Sequence, residues 1–252
     1  MSNCALSLYV ESDADLKAGA LLGKKLNIDI IRKLPETEAE GLMLRLDAEG
    51  LSLVGNGQTF RGDFMRMLPR LKLDNLNREM LVKAAKIKGL EGTPTAIDAT
   101  AGLGEDAILL AAAGFSVQLY ERDPVIAALL EDALKRAAQT PELVDIVGRM
   151  QLFASDSLTA LSQLEEPVDV VLLDPMFPAR QKSALIKKKF QLLQQLERPC
   201  SDEEALMEAA VNSRPRKVVI KRPLKGPFLA DRKPDYSLKG KAIRYDCIVI
   251  AR

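Results

Sequence analysis

The segment Ala96-Ile97-Asp98-Ala99-Thr100-Ala101-Gly102-Leu103-Gly104-Glu105-Asp106 runs from an apolar stretch through two glycines into an acidic helix start. The apolar stretch predicts a buried strand. The glycines predict a tight turn into a helix whose first amide groups are free to meet a ligand. In α/β proteins this unit holds a nucleotide-like molecule at the carboxyl edge of the sheet. Far downstream, Val168-Asp169-Val170-Val171-Leu172-Leu173 predicts a second buried strand, and it ends in Asp174-Pro175-Met176-Phe177-Pro178. Both ends on one sheet would set a cofactor seat opposite an acceptor seat.

The rest of the chain supports that sheet. Strands are expected at 95–100, 116–121, 150–154, 168–174, 217–221 and 245–251, with helices through Ala113, from Pro124 and near Leu158. This alternation implies a mainly parallel, seven-stranded, Rossmann-like sheet with helices on both faces. Residues 1–75 read as a small separate α+β domain. It has a strand at Leu6–Val10, a helix around Asp15–Leu26, and a hairpin in which Leu42, Leu44 and Leu46 alternate before the turn residues 47–50. The second domain is expected to span 76–252. It opens with a helix over 76–88, whose apolar side carries Leu76, Met80, Leu81, Ala84 and Ile87 and which Gly89 closes. The Pro-, Gly- and Lys-rich residues 223–241 read as a surface excursion.

Composition narrows the chemistry. The 252 residues contain no histidine, which removes Ser-His-Asp and Cys-His hydrolysis and histidine metal sites. The three cysteines, Cys4, Cys200 and Cys247, are too scattered for a disulfide framework or a cysteine-built metal site, so no metal is expected. No stretch approaches a membrane span and no leader precedes the first strand, so the expected location is cytoplasmic. Net charge is +1, yet residues 1–178 hold 18 Lys/Arg against 27 Asp/Glu, while residues 179–252 hold 18 against 8. A basic region of that kind either attracts a polyanion or forms a solvated lysine-rich surface.

At the cofactor seat, Gly102 and Gly104 allow close backbone approach, and Glu121 ends the next strand where a carboxylate can take both ribose hydroxyls. Asp98 or Asp106 can meet an ammonium group. Asp156 at the end of the third strand is either a contact for an adenine amino group or the N-cap of the helix at Leu158, and the roles are compatible. The glycines do not continue into Gly-x-Gly-x-x-Gly because Ala107 follows Asp106, which disfavours a dinucleotide without excluding it.

At the acceptor seat, the candidate catalytic residues are Asp174, Pro175 and Phe177. An amine conjugated to an aromatic ring is a poor nucleophile because its lone pair is delocalised. An acid and a backbone carbonyl that accept its two hydrogens would aim the lone pair at an electrophilic carbon, and Phe177 can stack on the base. Such a site suits methyl transfer from S-adenosylmethionine, leaving S-adenosylhomocysteine, because no histidine, metal or covalent intermediate is needed. The alternative for that seat is Asp-Pro-Met-Phe-Pro as a plain strand-ending turn, but such turns seldom fall in this register after a glycine-turn unit. The rival activities are transfer to adenine N6, cytosine N4 or a protein glutamine amide, an NAD-type dehydrogenase, and an inactive RNA-binding relative.

Asp98 to Gly104, Tyr120-Glu121-Arg122, the Asp174 to Pro178 turn and Gln181-Lys182-Ser183-Ala184-Leu185 together resemble the bacterial RsmJ family over roughly residues 60–252. The family consists of class I methyltransferases that make N2-methylguanosine in 16S ribosomal RNA of the small subunit. The resemblance implies cofactor contacts at Glu105, Asp106, Glu121, Arg122, Asp156, Ser157 and Asp174. Glu105 stands where the family often has arginine, so its contact is expected through the backbone. Leu71 to Arg78 lacks the glycine- and arginine-rich character of that stretch in the family.

A 16S rRNA or small-subunit partner assigns the basic residues to phosphate. The candidates are Lys187, Lys188, Lys189, Lys221 and Arg222, with Arg214, Arg216, Lys217 and Lys225 beside them. For the lysine triplet an exposed helix face is the equal alternative. Guanine N2 lies in the shallow groove of an RNA helix, so the target base must be unpaired or flipped.

Overall fold

The computed structural model describes residues 6–34, 41–175, 192–193, 196 and 202–251. The N-terminal part builds one sheet from β1 (Ser7–Val10), β2 (Asp29–Ile31), β3 (Met43–Asp47), β4 (Gly50–Gly55) and β5 (Gln58–Phe60), with α1 (Leu16–Leu26) between the first two strands. Its order is β2-β1-β3-β4-β5. β1 lies parallel to β2 and β3, and β3, β4 and β5 pair antiparallel. The expected hairpin turn is present. Asp47 Oδ1 accepts the Glu49 amide at 2.9 Å, and Gly50 takes φ 111°, which side chains disfavour.

Three short helices, α2 (Leu68–Leu71), α3 (Leu73–Leu76) and α4 (Met80–Ala85), lead to the second sheet. Phe64, Met67, Leu71 and Leu76 are buried in the core of that sheet. The helix expected over 76–88 is shorter, because Glu79 (φ −59°, ψ 128°) and Lys86 (φ −58°, ψ 130°) are extended. Tertiary bonds fix both breaks. Arg70 donates to both Glu79 carboxylate oxygens at 2.7 and 2.8 Å, and Lys217 Nζ donates to the Ala84 and Lys86 carbonyls, each at 2.8 Å.

The large sheet contains β6 (Thr95–Asp98), β7 (Ser116–Tyr120), β8 (Met150–Phe153), β9 (Val170–Leu173), β10 (Lys217–Pro223), β11 (Tyr236–Lys239) and β12 (Ile243–Val249). Among the described residues its order is β11-β12-β10-β9-β6-β7-β8. The five strands from β8 to β10 run parallel, and β12 and β11 are antiparallel additions at one edge. β11 corrects the sequence reading, which took 223–241 as a surface excursion. The loop before it is tethered inward, because Arg244 Nη1 donates to the carbonyls of Pro223, Leu224 and Gly226 at 2.8 to 3.0 Å.

The period-2 alternation of the strands divides the apolar residues between two faces. Val170, Leu172 and Val219 join one core with Ile108 and Leu109 of α5 (Glu105–Ala112) and Leu81 of α4. Val171, Leu173, Val218 and Ile220 join the other with Leu161 of α8 (Ser157–Ser162) and Leu206 and Met207 of α9 (Glu203–Asn212). Between β7 and β8 come α6 (Pro124–Ala137) and α7 (Val144–Val147). No helix among the described residues is long and apolar enough to cross a membrane.

α6 is buried on two sides. Leu130, Ala133 and Ala137 face the core of the large sheet, while Val125, Ala128 and Leu129 pack with Leu44, Leu51 and Leu53 of the N-terminal sheet. Asp123 caps its start by accepting the Val125 and Ile126 amides at 2.9 and 3.0 Å. Leu129 is fully buried, so Leu129→Ala is expected to cost about 2–5 kcal/mol in urea unfolding, through lost transfer energy and the cavity left behind.

Candidate active site

The chain reverses its direction of growth at β6, which pairs with β7 on one side and β9 on the other. A crevice opens at such a switch point, outside the carboxyl ends of the strands. Here it is a cavity of about 890 Å³. Of the residues expected from sequence, Asp98, Gly102, Glu105, Asp106, Glu121, Arg122, Asp156, Ser157, Asp174, Pro175 and Lys221 all line it. Gly104 is not part of the lining and packs beside Leu130, Phe64 and Leu119. Phe177 and Lys187 to Lys189 are outside the described residues.

The glycine turn works in two ways. Gly102 (φ 52°) and Gly104 (φ 73°) both occupy the left-handed region. A Cβ on Gly104 would stand 2.9 Å from Leu130 Cδ1, so that glycine serves packing. A Cβ on Gly102 would meet nothing within 4 Å, so its backbone edge opens on the cavity. Glu121, at the end of β7, fixes the turn. Its Oε2 accepts the Gly102 amide at 2.9 Å and its Oε1 accepts the Asp123 amide at 2.8 Å. Burial raises the Glu121 carboxyl, and these two amides pull it back. Each carboxylate oxygen has a second lone pair, so acceptor capacity toward a ligand is left.

The other wall is ionic. Lys221 Nζ stands 2.6 Å from Asp106 Oδ2 and 2.8 Å from Asp174 Oδ2, tying β10 to the first turn of α5 and to the loop after β9. Burial raises the Asp174 carboxyl, Lys221 opposes the rise, and Asp106 adds to it. For Lys221, burial disfavours the ammonium, but the charges of Asp106 and Asp174 prevail and raise it. The sequence reading overlooked three residues here. Thr100 Oγ1 accepts the Asp174 amide at 2.7 Å and so joins the two loops directly. Tyr245 lies across the ladder from Lys221 and lines the cavity, as does Arg70.

The remaining basic candidates divide by strand parity. Lys217 and Lys221 point to the α4 and α5 side, whereas Arg222 is 1% exposed and stands 3.5 Å from Glu203 of α9. Arg216 pairs with Asp169 at 3.0 Å, and Lys225 is exposed. Lys217 and Arg222 are therefore turned inward. Asp156 accepts the Leu158 amide at 2.9 Å, so it caps α8 while lining the cavity. Among the described residues no group of three or more acids or cysteines is placed to hold a metal ion.

Asp98 is 2% exposed, and burial, then the charge of Asp106, pushes its carboxyl from the ordinary 3.8 up to about 8. The folded chain keeps a proton that the unfolded chain releases. The stability this contributes is complete below about pH 4 and is lost as pH rises through about 8. Asp98→Asn keeps an oxygen for the Thr100 amide, which donates to Asp98 Oδ1 at 3.1 Å. It is expected to raise Tm over the parent at about pH 9, and by clearly less at about pH 5, in thermal melts.

The cavity suits a cationic nucleoside. It offers an open glycine edge, the N-terminal end of α5, and several carboxylates. The SAM_MT family, described as "Putative SAM-dependent methyltransferase", matches residues 29–250. Ribosomal RNA small subunit methyltransferase J of Thioalkalivibrio sulfidiphilus is 39% identical over 99% of each chain. The protein of that name from Cellvibrio japonicus is 38% identical over 96% of each. A crystal structure of a SAM-dependent methyltransferase from Neisseria gonorrhoeae superimposes with a TM-score of 0.75 at 27% identity, covering 97% of this chain and 96% of that one. On this evidence the chain belongs to the ribosomal RNA small subunit methyltransferase J family of SAM-dependent methyltransferases.

Proposed function

We propose that the protein transfers a methyl group from S-adenosylmethionine to the exocyclic N2 of a guanine in 16S rRNA of the small ribosomal subunit, releasing S-adenosylhomocysteine and one amine proton to solvent. The observation that carries this reading is the single cavity into which the glycine turn, Glu121, Asp156 and the Asp174-Pro175 loop all open. When bound, the cofactor supplies a methyl group on a positively charged sulfur, which leaves as a neutral thioether.

This chain's residues hold and orient. Glu121 takes the ribose hydroxyls, Asp156 and the start of α8 at Ser157 take the adenine edge, and Asp98 or Asp106 meets the ammonium. Glu105 and Arg122 line the same seat. A net negative cavity favours a ligand of net positive charge, and low-dielectric walls strengthen that preference.

Asp174 and the Pro175 carbonyl accept the two hydrogens of the guanine amine. Nitrogen is thereby drawn out of conjugation and its lone pair is aimed along the transfer line. Pro175 keeps the loop stiff. Phe177 is assigned base stacking from its place in the sequence. Lys187, Lys188 and Lys189 are assigned phosphate contacts on the same ground.

Labelled donor and undermodified small-subunit RNA should yield labelled N2-methylguanosine by mass spectrometry. Label in N6-methyladenosine, in N4-methylcytidine or in protein alone would replace the substrate assignment. Asp174→Ala should lower kcat by about 100-fold or more while binding of S-adenosylhomocysteine persists, since one lost acceptor in a preorganised site has that scale.

A further inference from the structure

We infer that Lys221 is a positioning residue for methyl transfer, a cation that holds one oxygen of the Asp174 carboxylate and leaves the other for the acceptor amine. This rests on the methyl-transfer reading above. By charge alone Lys221 belongs with the phosphate-binding lysines, but its ammonium is held inside the cavity by Asp106 Oδ2 at 2.6 Å and Asp174 Oδ2 at 2.8 Å. It stands on β10, where it pairs with Tyr245 of β12 and directly follows Ile220, the last residue of β10 paired with β9, so its backbone is held by the sheet. Asp174, by contrast, begins a loop whose described tie to β6 is the Thr100 hydroxyl.

The contact does two things. First, it sets the plane of the carboxylate. A carboxylate pinned at Oδ2 and at its own backbone amide presents Oδ1 in one direction, as an acceptor of an amine hydrogen must. Second, it settles the charge. Asp174 is faced by Lys221 from β10, Asp106 from α5, Asp98 from β6 and Tyr245 from β12, and Arg222 adds its charge from the opposite face of β10. Burial and Asp106 favour a protonated Asp174, while Lys221 and Arg222 favour the carboxylate. A protonated acid would donate to the amine instead of accepting from it. With Lys221 removed, Asp106 and Asp174 face each other with less compensation, and Asp174 takes up a proton at higher pH.

The test uses full-length Lys221→Met and Lys221→Arg with three readouts. These are kcat and KM on undermodified small-subunit rRNA across pH, the salt dependence of RNA affinity with S-adenosylhomocysteine present, and a 13C titration of the Asp174 carboxyl without donor or RNA. Lys221→Met should lower kcat by about 10- to 100-fold and move its acid limb to higher pH, and the Asp174 titration should move the same way. KM for RNA should stay within about twofold and the salt slope should not change, because no phosphate contact is lost. Lys221→Arg should recover most of kcat.

Unchanged kcat with a raised KM and a salt slope shallower by about 1 would overturn the proposal and make Lys221 a phosphate contact. An Asp174 titration equal in variant and parent would also overturn it. Parent protein that leaves RNA unmethylated would refute the functional reading itself, while the carboxyl titration still decides the Lys221 to Asp174 coupling. Should the Met variant not fold, Lys221→Gln carries the same comparison.

Discussion

Two loops that are 74 residues apart in sequence meet because β6 and β9 are neighbours and their pairing continues beyond the strand ends. The Ala99 amide reaches the Leu172 carbonyl at 3.0 Å, and the Asp174 amide reaches the Thr100 hydroxyl at 2.7 Å. Neither bond is strong alone, since a net hydrogen bond contributes about 1 kcal/mol. Their value is geometric. They bring the glycine turn and the acid-proline turn to one edge, and Glu121 from β7 then fixes the turn from the other side.

Electrostatics follow from that crowding. Asp98, Asp106, Glu121 and Asp174 converge on one cavity with further acids, against Lys221, Arg70 and Arg122 in its lining. Such a cluster does not keep every charge. Asp98, pushed up to about 8, holds its proton at neutral pH, while Lys221 keeps Asp106 and Asp174 compatible as neighbours. The arrangement favours a ligand that brings positive charge.

The glycine turn, Glu121, Asp156 and Asp174 were legible in the sequence because each ends an apolar strand, and strand ends share an edge in a parallel sheet. Asp156 caps α8 with its carboxylate while lining the cavity, so the cap does not take it away from the crevice. The basic residues were harder. A count of charge cannot say which face of a strand a lysine takes, and β10 sends Lys217 and Lys221 to one core and Arg222 to the other. Continuing the apolar alternation of Val218, Val219 and Ile220 by two residues would have revealed it. β11 was hidden because Tyr236 to Lys239 is short and flanked by Pro, Gly and Lys, and an edge strand carries a weak pattern. The length of α4 was hidden because side chains outside it, Arg70 at its start and the distant Lys217 at its end, tie down the flanking residues.

The doubly buried α6 bears on how the protein is assembled. Its N-terminal half has Val125, Ala128 and Leu129 covered by the first sheet, and its C-terminal half lies on the second. A version trimmed to the larger half would leave an aliphatic seam on that helix wet and prone to self-association. The small sheet thus serves the larger fold as the cover for one side of that helix.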